Sequence, residues 1–476
     1  MWDKGLLVRY SGPRYRRIVA LIEDYIQQGL LVDGERLPAE RRLAQLLEMN
    51  RSTVIHALDT LTERGILVRK IGSGTYVNNQ KWGVLNYPVI NWQHPVSMTA
   101  KVSQYKQKVQ QIKHQARISQ QTAYDLANGD LPANLLPKLS LPAMTAQELI
   151  EQEADPAASL SGLLSLKQHV IDYLTFHFAM TVDPAEILIT SGTQQSLFLL
   201  SQGLLKPGDA VGIEAPSYFY SLPLFQAAGL RMYGIECDEE GVTVAGLDKV
   251  MTEQRLKWIF INPVFQNPTG RCMSLARKQT ILDYCHQQCI GIIEDDAYSA
   301  LYFDEQVHRA PIKQLDRFGQ VIYLGSLSKY IGRHIRIGWM IAPAHLVRQL
   351  AEIRQYIDSG LSILPQLLAQ DYLANHYQQH QQKLRTCLSQ RLMGMHQWLA
   401  TEYRDSFDYQ LPSGGLHLYL KLRASSQITE PSILNTWLLK LVFIAQGTEF
   451  GDRHGHFRLS YGHFSGDLLG DDITQK

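Results

Sequence analysis

Apolar residues Ile18, Leu21, Ile22 and Tyr25 recur at i, i+3, i+4 and i+7, which predicts an amphipathic helix over residues 14–28, ended by Gly29. A second helix is predicted behind Pro38, a residue that a first turn tolerates, with Leu43, Ala44 and Leu47 on one face. After a short turn at "EMN", Asn50 or Ser52 caps a third helix with the stripe Val54, Ala57, Leu58 and Leu61, and Gly65 stops it. "ILVRK", the glycine-rich "IGSGT" and "YV" then predict a hairpin. Three helices and a two-stranded wing describe a winged helix-turn-helix. Arg51, Ser52, Ile55 and His56 fall off the apolar stripe of the third helix, on the side that would face a groove. In the wing, Arg69, Lys70 and the backbone amides of Gly72 and Gly74 suit phosphate contact.

From about residue 125 the pattern changes. Short apolar runs ("EILIT", "AVGIE", "RMYGIE", "WIFINP", "IGIIEDD", "VIYLGS", "RIGWMIA") alternate with helical stretches, which predicts an α/β unit with a parallel-dominated sheet. Between the two lies a Gln- and Lys-rich stretch, 78–124, whose residues 101–121 have weak helical character and no clear apolar stripe. It reads as a long basic linker, or equally as an arm packed through Trp82 and Trp92. The expected organisation is 1–77, 78–124 and 125–476.

Charge sharpens this division. The net charge of +1 hides a split: residues 1–124 carry 18 basic and 9 acidic side chains, and the remainder 28 and 36. Nucleic acid is therefore expected to meet the N-terminal part alone. No apolar run reaches the about 18–20 residues of a membrane span, and the start has no signal-peptide pattern, so a cytoplasmic protein without a membrane partner is expected. Five cysteines without a framework fit reduced thiols, and Cys285 and Cys289 are not expected to bind metal.

The candidate chemistry sits where strands of the α/β unit end, which is where open α/β sheets bind ligands. "ILITSGTQQ" places the amides of Gly192, Thr193 and Gln194 at a helix N-terminus, where a phosphate is held. Asn267 follows another strand, Asp295 and Tyr298 a third, and Ser326, Ser328 and Lys329 a fourth, with Arg336 seven residues on. A phosphate cradle, a carboxylate, a phenol, an amide and a lysine fit pyridoxal 5′-phosphate (PLP). The Lys329 amine would condense with the aldehyde, and Asp295 would pair with the pyridinium nitrogen. Asn267 and Tyr298 would bond the phenolate oxygen, Ser326, Ser328 and Arg336 would complete the phosphate shell, and Tyr218 of "EAPSYFY" would stack on the ring.

Residues 13–77 resemble the DNA-binding domain of the GntR family through "LPAER", "NRSTV", "L…RGIL" and "GSGTYV". The resemblance implies DNA contact by Arg41, Arg51, Ser52, Thr53 and the wing residues Lys70, Gly72, Ser73, Gly74 and Thr75. Ile55 stands where family members often have arginine, which implies a different base preference there. Residues 125–470 resemble fold type I aminotransferases through "SGTQQ", "NPTG", "DDAY" and "SLSK". That resemblance implies a carboxylate-gripping role for Arg458 in "HFRLSYG" and a place in the substrate pocket for Gly129 in "ANGDLP". Many members carry a tyrosine that reaches the partner subunit's phosphate; "DPAASLSGLLSLK" has none, which puts that contact in doubt but not the dimer. Together the two modules resemble the MocR (GabR/PdxR-like) regulators. This implies a homodimer that binds operator DNA and senses PLP, or an amine or amino acid that reacts with it, in control of vitamin B6 or amine metabolism. The alternative is a catalytically active aminotransferase with an accessory DNA-binding domain.

Overall fold

A computed structural model describes residues 2, 4–27, 30–32, 34–70, 72–78, 104–140, 143–153, 160–358, 360–426 and 428–469. The chain divides into two compact units, Met1–Val102 and Ser103–Lys476.

In the first unit, α1 (Arg14–Gln27), α2 (Glu40–Leu46) and α3 (Arg51–Glu63) precede β1 (Leu67–Lys70) and β2 (Gly74–Val77). The expected stripes are the core: Ile18, Leu21, Ile22, Leu43, Val54, Ala57, Leu58 and Leu61 are all buried together. Truncating such a residue, Leu58→Ala for example, costs about 2–5 kcal/mol. The hairpin pairs Leu67 with Val77 and Lys70 with Gly74. Three details differ from expectation. Pro38 lies before the helix, whose N-cap is Ala39. Asn50 holds the N-cap position of α3 with no side-chain cap bond. A third stretch lines the wing: Leu37 donates to the Thr75 carbonyl (2.9 Å) and Val77 to that of Glu35 (2.9 Å).

The second unit starts earlier than the sequence suggests. Residues within the expected linker form α4 (Gln104–Ile118). Val109 is buried against Leu438 and Phe443, with Ile112 packed alongside, and Lys113 bridges Asp125 at 2.7 Å. A narrow stripe at i, i+3 among Gln and Lys is enough to anchor a helix when a partner surface exists. Trp82 and Trp92 lie outside the described residues, as do residues 155–159 of "DPAASLSGLLSLK".

All seven apolar runs are strands. They comprise β3 (Ile187–Thr190), β4 (Ala210–Ala215), β5 (Arg231–Asp238), β7 (Trp258–Ile261), β8 (Gly291–Asp296), β9 (Val321–Ser326) and β10 (Gly338–Ile341), to which β6 (Gly241–Val242) adds a short edge. The sheet order is β3-β10-β9-β8-β7-β4-β5-β6. Pairings from β9 across to β5 are parallel and β10 is antiparallel to both neighbours. The carboxyl ends of β3, β4, β7, β8 and β9 therefore share one edge. A smaller antiparallel sheet, built of β11 (Phe407–Asp408), β12 (His417–Leu422), β13 (Ala445–Gln446) and β14 (His456–Ser460), runs in the order β11-β12-β14-β13. Cys285 is buried in the helix Leu275–Gln287, while Cys289 lies beyond its end and is exposed.

Candidate functional site

Two sets of residues carry chemistry, one in each unit. In the first unit, Arg41, Arg51, Ser52, Lys70, Gly72, Ser73 and Gly74 are exposed, and Thr53 and Thr75 half-buried. The N-terminal turn of α3 and the wing share an acidic neighbour: Glu40 lies 3.4 Å from Arg51 and 3.3 Å from Arg69. Such solvated pairs are worth little, so they hold the two arginines only loosely. Lys70 Nζ lies 4.9 Å over the Tyr76 ring, and Tyr76 Oη meets Ser73 Oγ at 2.6 Å, so the wing tip is braced. Ile55 is half-buried, and the His56 ring rests 4.3 Å from that of Tyr15.

In the second unit the shared strand edge gathers the rest. Asp295 near the end of β8, Ser326 at the end of β9 and Lys329 just beyond it come from parallel neighbours, so the sheet itself sets their spacing. Lys329 Nζ donates to the Gly129 carbonyl (2.9 Å) and to Asp130 Oδ1 (2.9 Å), whose other oxygen lies 3.4 Å from Arg333. Burial alone would lower the Lys329 pKa, but Tyr298 and Asp130 outweigh it and hold it above the ordinary value. Burial opposes ionisation of Asp130 as well; Lys329 and Arg333 overcome it and keep the carboxyl low.

Asp295 is buried, and burial pushes its carboxyl up to about 7, against the Tyr218 hydrogen bond that lowers it and with Asp296 adding to the rise. One oxygen accepts the Tyr218 hydroxyl. The other, Oδ1, is buried without a hydrogen-bond partner among the described residues. A buried carboxylate oxygen left open suits a cationic ring N–H. Tyr218, expected as a stacking ring, here spends its hydroxyl on that carboxylate.

The phosphate cradle is equally specific. Gly192 is the N-cap of α5 (Thr193–Gly203) at φ 84, where glycine is at ease. A Cβ there would meet Arg336 Nη2 at 3.2 Å and Ser328 Oγ at 3.6 Å. Arg336 adopts a left-handed φ of 54, costing roughly 1–2 kcal/mol, and donates to the Ser191 carbonyl at 2.7 Å. Ser326 Oγ accepts the Ser328 amide at 3.1 Å. Thr193 is half-buried beside these groups, whereas the Gln194 side chain is exposed, which leaves only its amide for an anion. Backbone amides at a helix N-terminus, with the Ser328 hydroxyl and the Arg336 guanidinium beside Gly192, make a donor set that suits a phosphate.

Arg458, on β14, donates to Asn267 Oδ1 (3.0 Å) and to the Ala127 carbonyl (2.6 Å). Asn267 Nδ2 lies 3.4 Å from Tyr298 Oη. A Cβ on Gly129 would come within 3.7 Å of Arg458 Nη2, so the expected effector residues meet. Asp130 and His417 share this pocket, and neither is among the residues expected from the sequence. Asp130 directly follows Gly129, and His417 stands as a polar residue at a buried position of an apolar strand, a signal open to the eye.

Residues 125–468 match the model of the family "Aminotransferase class I and II", and residues 14–77 that of "Bacterial regulatory proteins, gntR family". Over 456 residues the chain is 33% identical to the HTH-type transcriptional regulator YdfD of Bacillus subtilis (strain 168), covering 95% of this chain and 93% of that one. The chain is a MocR-like member of the gntR family. The MocR-like chain is also 29% identical over 445 residues to the HTH-type transcriptional regulator NorG of Staphylococcus aureus (strain USA300), covering 91% and 97%. Its second unit resembles solved aminotransferases. An archaeal alanine:glyoxylate aminotransferase gives a TM-score of 0.67 at 26% identity, covering 78% of this chain and 94% of that one. Pyrococcus horikoshii kynurenine aminotransferase gives 0.67 at 24%, covering 79% and 93%. The MocR-like protein is thus a transcriptional regulator that binds DNA through its gntR unit and PLP through its aminotransferase-like unit. Among the described residues, no helix is long and apolar enough to cross a membrane.

Proposed function

We propose that the protein is a homodimeric operator-binding regulator in which Lys329 holds PLP as a sensed ligand, and that PLP, or an amine or amino acid reacting with it, alters DNA affinity. The observation that carries this reading is a lysine amine and an open buried Asp295 oxygen at the edge of one sheet, on the same chain as a gntR unit. When bound, PLP supplies an aldehyde for the lysine amine and an electron-withdrawing ring. The chain's own groups would do the rest. Asp295 would keep the ring nitrogen protonated, Gly192, Thr193, Gln194, Ser326, Ser328 and Arg336 would bind the phosphate, Tyr218 would cover the ring, and Arg458 beside Gly129 would take a carboxylate. Arg41, Arg51, Ser52, Thr53, Lys70, Gly72, Ser73, Gly74 and Thr75 would meet the duplex. Two heads on one dimer gain affinity through effective concentration, so a small change in head spacing is amplified. Genes of vitamin B6 or amine metabolism are the expected targets.

The test is binding to the protein's own upstream DNA, titrated with PLP and then with amines, in the native protein and Lys329→Ala. The native protein should respond and the variant should not; an equal response in both overturns the sensing role. A second reading, turnover as an aminotransferase, is favoured by the full set of lysine, aspartate, tyrosine and arginine in the pocket. Steady-state rates on the order of 1–10³ s⁻¹ with amino acid and 2-oxo acid pairs would establish it.

A further inference from the structure

His417 is a buried, fully bonded group in the pocket that stands outside the set of residues expected to touch PLP. It opens β12 directly opposite Ser460 of β14, and each is 1% exposed. Its Nδ1 lies 2.9 Å from Ser460 Oγ and its Nε2 lies 3.1 Å from Tyr298 Oη.

Donor counting sets the direction of these bonds. Among the described residues, Ser460 Oγ has no hydrogen-bond partner other than His417. A buried hydroxyl proton without an acceptor is costly, so Ser460 donates to Nδ1. A neutral imidazole carries a single N–H, which then sits on Nε2 and is donated to Tyr298 Oη. Neutrality fits the setting: burial, with Arg458 and Lys329 facing the ring, drives the His417 pKa well below its ordinary value. Tyr298 Oη accepts a second bond from Asn267 Nδ2 at 3.4 Å. Both its lone pairs are then engaged, and its one proton is left for the cofactor side.

We infer that His417 is a positioning residue, the middle of a chain from Ser460 through His417 to Tyr298 that aims the tyrosine proton at the phenolate oxygen of bound PLP. The inference rests on the assignment of PLP to Lys329 and extends it to residues outside the cofactor's own contacts. Arg458 lies two residues before Ser460 on β14, so the strand that starts this relay also carries the arginine proposed to hold an effector.

Two measurements test it. In PLP-loaded protein, the pH titration of the visible absorbance reads how strongly the phenolate is stabilised. His417→Phe should raise its midpoint by about 0.5–1 pH unit, in the direction of Tyr298→Phe, because an unsupported tyrosine is a weaker donor. Ser460→Ala should give a smaller shift of the same sign, and His417→Phe should add nothing in a Tyr298→Phe background. An unshifted midpoint in His417→Phe, or an undiminished shift in the double variant, overturns the inference. In the native protein without cofactor, nitrogen NMR of labelled histidine, assigned by the peak lost in His417→Gln, should show the Nε2–H tautomer; Nδ1–H overturns it even if the phenylalanine variant fails to fold. A pyridoxyl label missing from Lys329 after borohydride would instead refute the assignment beneath it.

Discussion

In the gntR unit the cations proposed to meet DNA stand in water: Arg51 keeps 64% of its side chain exposed, and its carboxylate neighbour Glu40 is 3.4 Å away. In the pocket Asp295 and Arg458 are buried and Lys329 keeps only 22% of its side chain exposed. Solvated charges cost little to keep, act at long range, and are traded for phosphate by counterion release. Buried charges shift their pKa, need named partners, and bind a ligand that completes them. The same chain thus reads a polyanion with loose charges and a small molecule with fixed ones. Substitutions should act differently in the two places: graded and salt-dependent in the head, nearly all-or-none in the pocket.

The largest effect is expected at Lys329. Lys329→Ala should remove covalent PLP completely while leaving the melting temperature of the cofactor-free protein within a few degrees, as measured by absorbance and calorimetry. Asp295→Asn comes next and cuts both ways. PLP affinity should fall by about 100-fold or more when the ring nitrogen loses its carboxylate. The cofactor-free protein should gain stability, because the folded carboxyl titrates near 7 against about 4 in an unfolded chain. Between those values the folded state holds a proton that the unfolded chain has lost, so its stability falls as pH rises through that window. The variant's advantage should therefore approach about 4 kcal/mol at pH 8 and vanish below pH 4, as denaturant titrations at the two pH values would show.

Effects in the head should be smaller. Arg51→Ala should lose about 1–3 kcal/mol of preference for operator over random DNA, if its guanidinium makes a bidentate base contact. Lys70→Ala should weaken binding to both by a similar factor and reduce the salt slope by about 1. Should Arg51→Ala weaken random DNA as much as operator, it contacts phosphate rather than bases.

Much of the fold and of the pocket is legible in the amino-acid sequence. The seven strands announce themselves because strands buried on both faces are continuous apolar runs, and the stripes of α1 and α3 are the core of the first unit. The pocket residues are conspicuous because most of them stand just after such a run. What stays hidden depends on distant partners. α4 carries too narrow a stripe to stand alone, and it is the surface of Leu438 and Phe443 that makes it a helix of the second unit. The stretch beside β2 is too short and charged to show a strand period. Asp130 meets Lys329 across 199 residues, and His417 meets Tyr298 across 119. No local pattern encodes such pairings; strand order does. Tyr218 suits a stacking role by its chemistry alone, while its hydroxyl bond to Asp295 depends on where β4 lies relative to β8.

The most direct test of the central claim is borohydride reduction of PLP-treated protein followed by peptide mass spectrometry. A single pyridoxyl group on Lys329, lost in Lys329→Ala, is the predicted result. Its absence from that side chain, or its appearance on surface lysines alone, would contradict the claim.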